Sequence, residues 1–327
     1  MTKIKLLDTF AWVGGFHLAL EQSIWKENVE CIWYSEIDKF AKQVYSERFQ
    51  DSKDLWSITE LDIDWLEDFD LLTGWFPCQD VSVAWKQSLE WWRTILVEYL
   101  LQILEKKQPK YFVFENVKWL MGKKFTEFRE SIFLRMRDAW YSCNYEVLNT
   151  KNFWLPQNRE RVFIVGRLNE PSNFKFPKWK ELTTFLPDIL EGEVEEKYYI
   201  NRDKLWQESL NKIYDKITPL LDIMEFWIRI PKIIQKVWDR DKNYWGVKDI
   251  AYCIPANPMS DRWQLVLQWD DKIRKLTPTE CARLQWFPDN WSTDYVSNSQ
   301  AYKQMWNAIS VPVVKAIFDN LLEDERI

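Results

Sequence analysis

Short apolar segments alternate with amphipathic segments of helical spacing through the first 170 residues of the chain. The segments that predict buried strands are 4–10, 31–37, 69–73, 111–115, 145–148 and 162–165. The segments that predict helices between them are 16–24, 40–49, 97–106 and 125–139. Strands that alternate with helices are typical of a doubly wound sheet. We therefore predict an α/β fold built on a mostly parallel sheet.

Four residues with aromatic, acidic or thiol side chains stand at or just beyond the ends of these predicted strands. They are Phe10, Glu36, Cys78 and Glu115. Ligands of doubly wound sheets bind in the crevice outside the carboxyl ends of the strands. We therefore expect these four residues to lie along one edge of the sheet.

The alternating pattern stops near residue 171. Residues 171–274 combine prolines, irregular apolar spacing and basic clusters. Periodicity returns in a short predicted helix at 277–285, opened by Thr-Pro, and in a long amphipathic helical region at 300–322. We predict a first domain of residues 1–170, a second domain of residues 171–274, and a segment of residues 275–327 that returns to the first domain.

The net charge of −6 argues weakly against a nucleic-acid partner, but the basic residues are concentrated. Residues 151–180 hold seven Lys or Arg against two acids, and residues 228–248 hold six against two. Such patches suit either a polyanion or a solvated basic face. No apolar run has the length of a membrane span, and the N-terminus has no apolar leader. We expect a soluble cytoplasmic protein.

Cysteine and histidine usage limits the chemistry that the chain can carry. The cysteines are odd in number and widely spaced: Cys31, Cys78, Cys143, Cys253 and Cys281. This spacing argues against a disulfide framework and against zinc, so we expect no metal. The single histidine, His17, follows a glycine turn at the start of a predicted helix. We expect it to pack rather than to act as a base.

Glycine and tryptophan are both far from their usual frequencies. A chain of this length usually has roughly 23 glycines, but this one has 7 glycines and 22 tryptophans. Some tryptophans stand in turn sequences, such as Trp12 in Phe-Ala-Trp-Val-Gly-Gly. Some bacterial lineages read the codon UGA as glycine, and we hypothesise that such glycines are written here as tryptophan. A truly tryptophan-rich chain is the alternative.

The hypothesis assigns particular positions. The tryptophans that we expect to be glycine are Trp12, Trp75, Trp85, Trp119, Trp154, Trp286 and Trp306. Trp65 and Trp291 stand in ordinary apolar contexts, so we expect them to be genuine.

Three short segments carry residues that are suited to nucleophilic chemistry. Cys78 stands in a turn after a predicted strand, with Pro77 stiffening the backbone before the thiol. Glu115 supplies an acid at a second strand end, and Arg159 and Arg161 supply two cations before an apolar strand. Taken singly, an inert cysteine, a helix-capping acid and a surface salt bridge are the more ordinary interpretations.

These segments resemble the ordered motif set of the cytosine-C5 DNA methyltransferases. The matching segments are 10–16, 77–79, 115–117, 157–161, 276–288 and 300–307. They are similar, in that order, to the cofactor loop, the catalytic loop, the acid motif, the arginine motif and two C-terminal motifs. The match spans nearly the whole chain outside 171–274, and six motifs in one order are highly specific.

The resemblance implies a fold of the S-adenosylmethionine-dependent methyltransferase type with a second, smaller DNA-recognition domain. It implies that Cys78 attacks C6 of cytosine, Glu115 holds N3 and the exocyclic amine, Arg161 holds O2 and Arg159 supports the loop. The implied cofactor-binding residues are Phe10, Gly14, Gly15, Glu36, Ile37, Ser57, Pro77 and Asn307, with Glu36 on the ribose hydroxyls.

The resemblance also implies the partners. The cofactor is S-adenosyl-L-methionine, and the substrate is double-stranded DNA with the target cytosine flipped out of the helix. A cognate restriction endonuclease encoded nearby is a further expected partner, and we expect a monomer. The tRNA-acting branch of the family carries a Cys-Phe-Thr tripeptide, which this chain lacks. DNA is therefore favoured over tRNA.

The sequence departs from the family pattern in two places. Ser57 stands where the family usually has an acid, which predicts weaker cofactor binding. The segment 90–94 fits the catalytic loop only if Trp91 and Trp92 are glycines. Two other functions stay open: a catalytically silent DNA-binding relative, against which the intact Cys78, Glu115 and Arg161 argue, and a nucleotide-binding interaction protein, which leaves Pro-Cys-Gln and Glu-Asn-Val unexplained.

Overall fold

The computed structural model describes residues 3–75, 95–171, 174–199, 232–238, 243–248, 251–252, 264–267 and 273–326. The chain divides into two compact units. The first consists of Met1–Asn149, Glu160–Trp179 and Ile309–Ile327, and the second consists of Thr150–Arg159 and Lys180–Ala308. The assignment of domains to residues 1–170, 171–274 and 275–327 stays a prediction.

The described strands are β1 Ile4–Thr9, β2 Val29–Ser35, β3 Lys53–Asp54, β4 Leu71–Trp75, β5 Tyr111–Val117, β6 Tyr141–Asn149, β7 Gln157–Asn158, β8 Glu160–Leu168, β9 Lys232–Trp238, β10 Asn243–Lys248, β11 Ala251–Tyr252, β12 Gln264–Leu267 and β13 Ile273–Lys275. The described α-helices are α1 Gly15–Ile24, α2 Lys39–Arg48, α3 Ile95–Lys107, α4 Thr126–Asp138, α5 Leu186–Ile189, α6 Pro278–Arg283, α7 Asn298–Asn307 and α8 Val311–Leu321.

A seven-stranded sheet forms the centre of the first unit, in the order β3-β2-β1-β4-β5-β8-β6. The strands from β3 to β5 are parallel, and β8 runs antiparallel to its neighbours β5 and β6. The chain proceeds outward from β1 through β2 to β3 and then returns to β4 on the other side of β1. The prediction of an α/β fold with a mostly parallel sheet is confirmed.

The apolar runs that predict the strands are continuous because the strands are buried on both faces. Adjacent residues of β1, Leu6 and Leu7, are both fully buried, and so are Leu71 and Leu72 of β4. Side chains from α3 and α4 pack with those of β5 in one apolar core. Helix α1 packs against α8, which brings the two ends of the chain together in the first unit.

The amphipathic region that the sequence places at 300–322 consists of two helices, α7 and α8. The backbone of Ala308, directly after α7, is extended, with ψ of 150°. Pro312 occupies the first turn of α8. Proline has no amide hydrogen to donate and is suited to the start of a helix rather than to its interior. The spacing of apolar residues continues through this break, so periodicity alone predicts one continuous helical region instead of two helices.

The second unit contains a four-stranded antiparallel sheet, β10-β9-β12-β13, and a parallel pair of β7 with β11. A capping box starts α6: the Thr277 hydroxyl accepts from the Glu280 amide at 3.1 Å, and the Glu280 carboxylate accepts from the Thr277 amide at 2.8 Å. Fully buried Arg274 donates to both oxygens of the same carboxylate, at 2.7 and 2.8 Å. This pair ties β13 to α6.

None of the helices within the described ranges is long and apolar enough to cross a lipid bilayer.

A buried polar cluster connects β1, β4, α1 and α2 in the first unit. The Asp8 carboxyl accepts from the Thr73 hydroxyl at 2.8 Å and from the Tyr45 hydroxyl at 3.4 Å. The Tyr45 oxygen also lies 3.1 Å from His17 Nδ1. The His17 ring stacks on Phe49, with 3.8 Å between the ring centroids. His17 is therefore a packed core residue, as the sequence predicts.

Below about pH 7, burial keeps the Asp8 carboxyl of this cluster neutral, and it also keeps the His17 ring neutral. Desolvation raises the pKa of Asp8 to about 7, although the hydrogen bonds from Thr73 and Tyr45 oppose it. Desolvation also lowers the pKa of His17 to about 3, and the charge of Lys26 acts in the same direction. In the unfolded chain at about pH 5, Asp8 is ionised and His17 is protonated. Folding in this range therefore adds a proton to Asp8 and removes one from His17.

These opposite shifts predict opposite pH dependences of stability. Between pH 4 and 6.5 the Asp8 contribution to the free energy of unfolding falls as pH rises, because the folded state binds the extra proton. The His17 contribution rises over the same range, because the unfolded state binds the extra proton. In Asp8→Asn only the His17 contribution remains, so the unfolding free energy should rise with pH more steeply than in the wild type, by about 1.4 kcal/mol per pH unit.

Urea denaturation at half-unit pH intervals measures this slope. His17→Gln is the matched variant, and its slope should differ from the wild type by a similar amount in the opposite direction. The double variant should return to the wild-type slope. Parallel curves for all four proteins would contradict the assignment of neutral Asp8 and neutral His17 to the folded state.

Candidate active site

The candidate site residues of the first unit gather at the carboxyl ends of parallel strands. In the sheet register Thr9 pairs with Ser35 on one side and with Gly74 on the other, and Trp75 pairs with Glu115. The four strands β1, β2, β4 and β5 therefore end nearly level with one another. Phe10, Glu36 and Glu115 lie at this edge, as predicted. Cys78 and Pro77, which follow β4, lie outside the described residues.

A tight turn leads from β1 into α1. Phe10, Trp12 and Gly14 have positive φ angles of 49°, 52° and 81°. The Gly14 amide donates to the Ala11 carbonyl at 2.8 Å, and the Gly14 carbonyl accepts from Leu18 at 2.9 Å in the first turn of the helix. A Cβ on Gly14 would lie 2.2 Å from the Phe49 ring. Position 14 thus needs glycine both for its backbone angle and for space.

Gly15 is the first residue of α1, directly after this turn. The first amides of a helix lack partners within the helix and carry a partial positive charge. The turn therefore places a polar, electropositive backbone at the carboxyl end of β1.

The Glu36 carboxylate connects the β1 turn to the end of β2. Its Oε2 accepts from the Trp12 amide at 2.9 Å, and its Oε1 accepts from the amides of Ile37 and Asp38 at 2.8 and 2.7 Å. Burial raises the pKa of Glu36, and these amide bonds act against that rise. Each carboxylate oxygen has lone pairs for more than one donor, so the group can hold the turn and still accept from a ligand hydroxyl.

The side chains around Glu36 fit a cofactor that contains a nucleoside. Ile37 is 66% exposed and offers apolar surface beside the carboxylate. Ser57, after β3, is half-buried; its hydroxyl accepts from the Thr59 amide at 3.3 Å and lies 2.8 Å from the Thr59 hydroxyl. A carboxylate for sugar hydroxyls, an apolar face for a ring and a hydroxyl that can accept or donate form a suitable donor set.

Glu115 and Arg161 form an ion pair at the end of β5. Arg161 Nε lies 3.0 Å from Glu115 Oε1, and the Glu115 side chain is almost fully buried. In the antiparallel register Arg161 of β8 faces Val117, two residues beyond Glu115. Residues two apart on a strand share a face, so the two charged side chains meet. This arrangement presents a carboxylate and a guanidinium together, next to the end of β4.

Arg159 has a different environment, within the second unit. Its guanidinium donates to the carbonyls of Trp306 and Ala308, at 3.0 and 2.7 Å. These carbonyls flank Asn307, the last residue of α7. Arg159 is buried, and its described contacts fix the backbone on either side of a proposed cofactor-binding residue. The catalytic loop that the resemblance assigns to Arg159 lies outside the described residues.

Sequence reasoning missed the residues that fix the strands behind this edge. Asp8 and Thr9 of β1 both bind Thr73 of β4, through the Thr73 hydroxyl and through its carbonyl at 2.7 Å. Gln157 is fully buried and donates to the Leu284 carbonyl at 3.0 Å. A polar pair inside an otherwise apolar strand was the available signal for Asp8 and Thr9. No sequence pattern identifies the long-range partner of Gln157.

Known proteins match this chain over nearly its full length. Over residues 4–323 the sequence matches the family of C-5 cytosine-specific DNA methylases. The type II methyltransferase M.NlaX of Neisseria lactamica is 35% identical over 323 residues, which cover 97% of this chain and 96% of that protein. The type II methyltransferase M.HhaI of Haemophilus parahaemolyticus is 32% identical over 330 residues, which cover 98% and 95%.

Solved structures show the same fold. The chain is similar to the Entamoeba histolytica methyltransferase EhMeth, with a TM-score of 0.72 and 18% identity over 99% of both chains. It is equally similar to the S. pombe Dnmt2 methyltransferase, with a TM-score of 0.72 and 18% identity over 99% of this chain and 100% of that one. With the family match over nearly its full length, the chain belongs to the C-5 cytosine-specific DNA methylases and is a DNA (cytosine-5-)-methyltransferase.

Proposed function

We propose that the protein transfers a methyl group from S-adenosyl-L-methionine to C5 of a flipped-out cytosine in a specific duplex DNA sequence, through a covalent bond between Cys78 and C6. The observation that carries the proposal is the Glu115–Arg161 pair, 3.0 Å apart, at the end of the strand next to β4. Cys78 follows the last residue of β4 by three positions. Three residues of chain reach at most roughly 11 Å.

The cofactor is proposed to bind at the ends of β1 and β2. Glu36 would accept from the ribose hydroxyls, the turn with Phe10 and Gly14 would bring the backbone close, and Ile37 would cover the adenine. Ser57 supports one hydrogen bond to the adenine where the family usually has an acid. When bound, S-adenosyl-L-methionine supplies an electrophilic methyl group that C5 of cytosine can accept.

The remaining chemistry falls to residues of this chain. The Cys78 thiolate forms a bond to C6, which places an electron pair at C5. Glu115 binds N3 and the exocyclic amine and so favours that addition, while Arg161 binds O2. After methylation, C5 loses its proton, the bond between sulfur and C6 breaks, and the aromatic ring is restored. The ion pair holds both base-binding side chains in one orientation before the cytosine arrives.

Duplex DNA is the proposed substrate because DNA is what the family acts on, and the target cytosine must then leave the base stack to be reached. Residues 171–274 are the proposed recognition domain, and their basic residues suit phosphate contacts. The relatives M.NlaX and M.HhaI are type II methyltransferases, which supports a cognate restriction endonuclease as a partner. We further propose a monomer that acts in the cytoplasm.

Replacing Cys78 by serine should lower the rate of methyl transfer by roughly 10³-fold or more, because a neutral hydroxyl is a far poorer nucleophile than a thiolate. DNA binding should survive. A radiolabelled methyl-transfer assay on mixed-sequence DNA measures the rate, and a gel-shift titration measures binding. Cys143→Ser is the matched control, because burial raises the pKa of that thiol to about 12 and keeps it neutral. Near wild-type turnover by Cys78→Ser would refute the covalent mechanism.

Replacing Glu115 by glutamine should slow the methylation step by roughly 10²–10⁴-fold, the usual contribution of such a group, with little loss of DNA affinity. Single-turnover kinetics separate the chemical step from binding. Glu160→Gln is the matched control, because Glu160 is exposed and pairs with Lys118 at 2.9 Å. A fall in DNA affinity with an unchanged chemical step would mean that Glu115 has a binding role instead.

Exchanging residues 171–274 for the corresponding segment of a relative should change which DNA sequence is methylated, while cofactor binding persists. The incoming segment must keep arginine at position 274, because its loss would leave the fully buried Glu280 without its cation. Bisulfite sequencing of methylated plasmid DNA gives the target sequence. Retention of the original specificity after the exchange would contradict the domain assignment.

A further inference from the structure

We propose that the functional polypeptide carries glycine at six of its tryptophan positions, encoded by a UGA codon that is read as glycine. The positions follow from the backbone: Trp12, Trp25, Trp56, Trp140, Trp154 and Trp286. They have φ angles of 52°, 70°, 61°, 71°, 67° and 67°. The inference does not rest on methyl transfer. Only its consequence for the cofactor turn depends on the proposed function.

Positive φ angles in this chain fall mainly on tryptophan. Of the ten described residues other than glycine with positive φ, six are tryptophan and two are asparagine. Asparagine tolerates this conformation, whereas for a bulky side chain it is a genuine outlier. Glycine adopts it readily because it has no Cβ. The chain has 7 glycines and 22 tryptophans, so tryptophan, which is in excess, occupies backbone positions that favour glycine, which is scarce.

Two of the six positions end helices in the way that glycine does. After α6, the Trp286 amide donates to the Arg283 carbonyl and the Phe287 amide donates to the Ala282 carbonyl, both at 3.0 Å. These two bonds define a Schellman motif, with Trp286 at the left-handed position that is usually glycine. After α4, the Trp140 amide makes the corresponding bond to the Arg137 carbonyl at 2.9 Å.

Four of the six positions are exposed, unlike two tryptophans of the core. Trp25 and Trp140 are 72% and 70% exposed, and Trp56 and Trp286 are also exposed. Trp33 and Trp291, by contrast, are 2% and 6% exposed and are absent from the positive-φ positions of the described chain. An indole contributes to stability mainly through the area that it buries. The exposed set therefore gains little from its side chains.

Trp12 is the one of the six positions that lies in the proposed cofactor-binding turn. It is buried, and it stands between Phe10 and Gly14 in the left-handed turn whose amide binds Glu36. If the turn holds the cofactor, glycine at position 12 permits close approach of the backbone, as in other nucleotide-binding turns.

The backbone refines the set of positions that the sequence suggests. It supports Trp12, Trp154 and Trp286, and it adds Trp25, Trp56 and Trp140. Trp75, Trp119 and Trp306 lie in regular elements without positive φ, so the backbone gives no support to their assignment to glycine. Trp85 lies outside the described residues. Trp65 is exposed, which gives no support to its assignment as a genuine tryptophan.

The direct test is the coding DNA together with peptide mass spectrometry of the protein isolated from its own cells. We expect UGA codons and glycine masses at all six positions, and UGG codons and tryptophan masses at Trp33 and Trp291. UGG codons or tryptophan masses at the six positions would overturn the inference. This test is independent of the enzymatic activity, so its failure would leave the proposed function standing.

A second test uses a recombinant chain that carries tryptophan at these positions, because each of them is encoded by UGG. Trp140→Gly and Trp286→Gly should each raise the melting temperature, by roughly 2 °C or more, whereas Trp140→Ala and Trp286→Ala should not. Alanine removes the indole but keeps a Cβ, so this comparison isolates the backbone conformation. Trp291→Gly, the control for a genuine position, should lower the melting temperature.

An equal effect of alanine and glycine on the melting temperature, or a loss of stability with glycine, would overturn the backbone argument.

The full replacement of the six tryptophans by glycine should also strengthen binding of S-adenosyl-L-methionine in equilibrium dialysis. A more stable protein that still fails to bind the cofactor would support the glycine assignment and count against the proposed cofactor site, so the two failures are distinguishable.

Discussion

The register of four parallel strands brings the candidate site residues to one edge of the sheet. Thr9, Ser35, Gly74 and Phe114 lie nearly level across β1, β2, β4 and β5, so the residues that follow them emerge at one edge. Hydrogen bonds inside the sheet fix this register, in particular the bond from the Thr73 hydroxyl to Asp8 and the bond from the Thr9 hydroxyl to the Thr73 carbonyl. Glu36 then ties the β1 turn to β2 by accepting from backbone amides on both sides. Contacts within the protein therefore hold this edge of the sheet.

Two arginines that are two residues apart in sequence have different surroundings. Arg161 lies within β8, where strand alternation places it on the face of Glu115. Arg159 precedes that strand, and its guanidinium binds the carbonyls on either side of Asn307. A guanidinium offers five donors in a fixed plane and suits either partner. The short segment from Gln157 to Arg161 thus serves a carboxylate in one unit and a stretch of backbone in the other.

Much of the fold follows from the sequence because buried parallel strands correspond to continuous runs of apolar residues. This signal predicts β1, β2, β4 and β5, but not the two-residue β3. It also predicts that Phe10, Glu36 and Glu115 stand at strand ends. The break between α7 and α8 was not, because the apolar spacing continues across Ala308 and only Pro312 marks it. The cluster of Asp8, Tyr45 and His17 was not predictable either, since its members are far apart in sequence and meet only when the sheet has formed.

The positive φ angles at Trp25, Trp56 and Trp140 could be found only from the backbone of the structure, because their local sequences lack an obvious turn motif.

The packing of α8 on α1 has a consequence for synthesis of the protein. α1, which follows the turn after β1, leaves the ribosome long before α8 does. Contacts between such distant segments form late, because the whole intervening chain must first be made and ordered. The face of α1 that packs on α8 therefore stays uncovered until α8 has been made. During that interval the uncovered face is a target for proteases and a nucleus for aggregation.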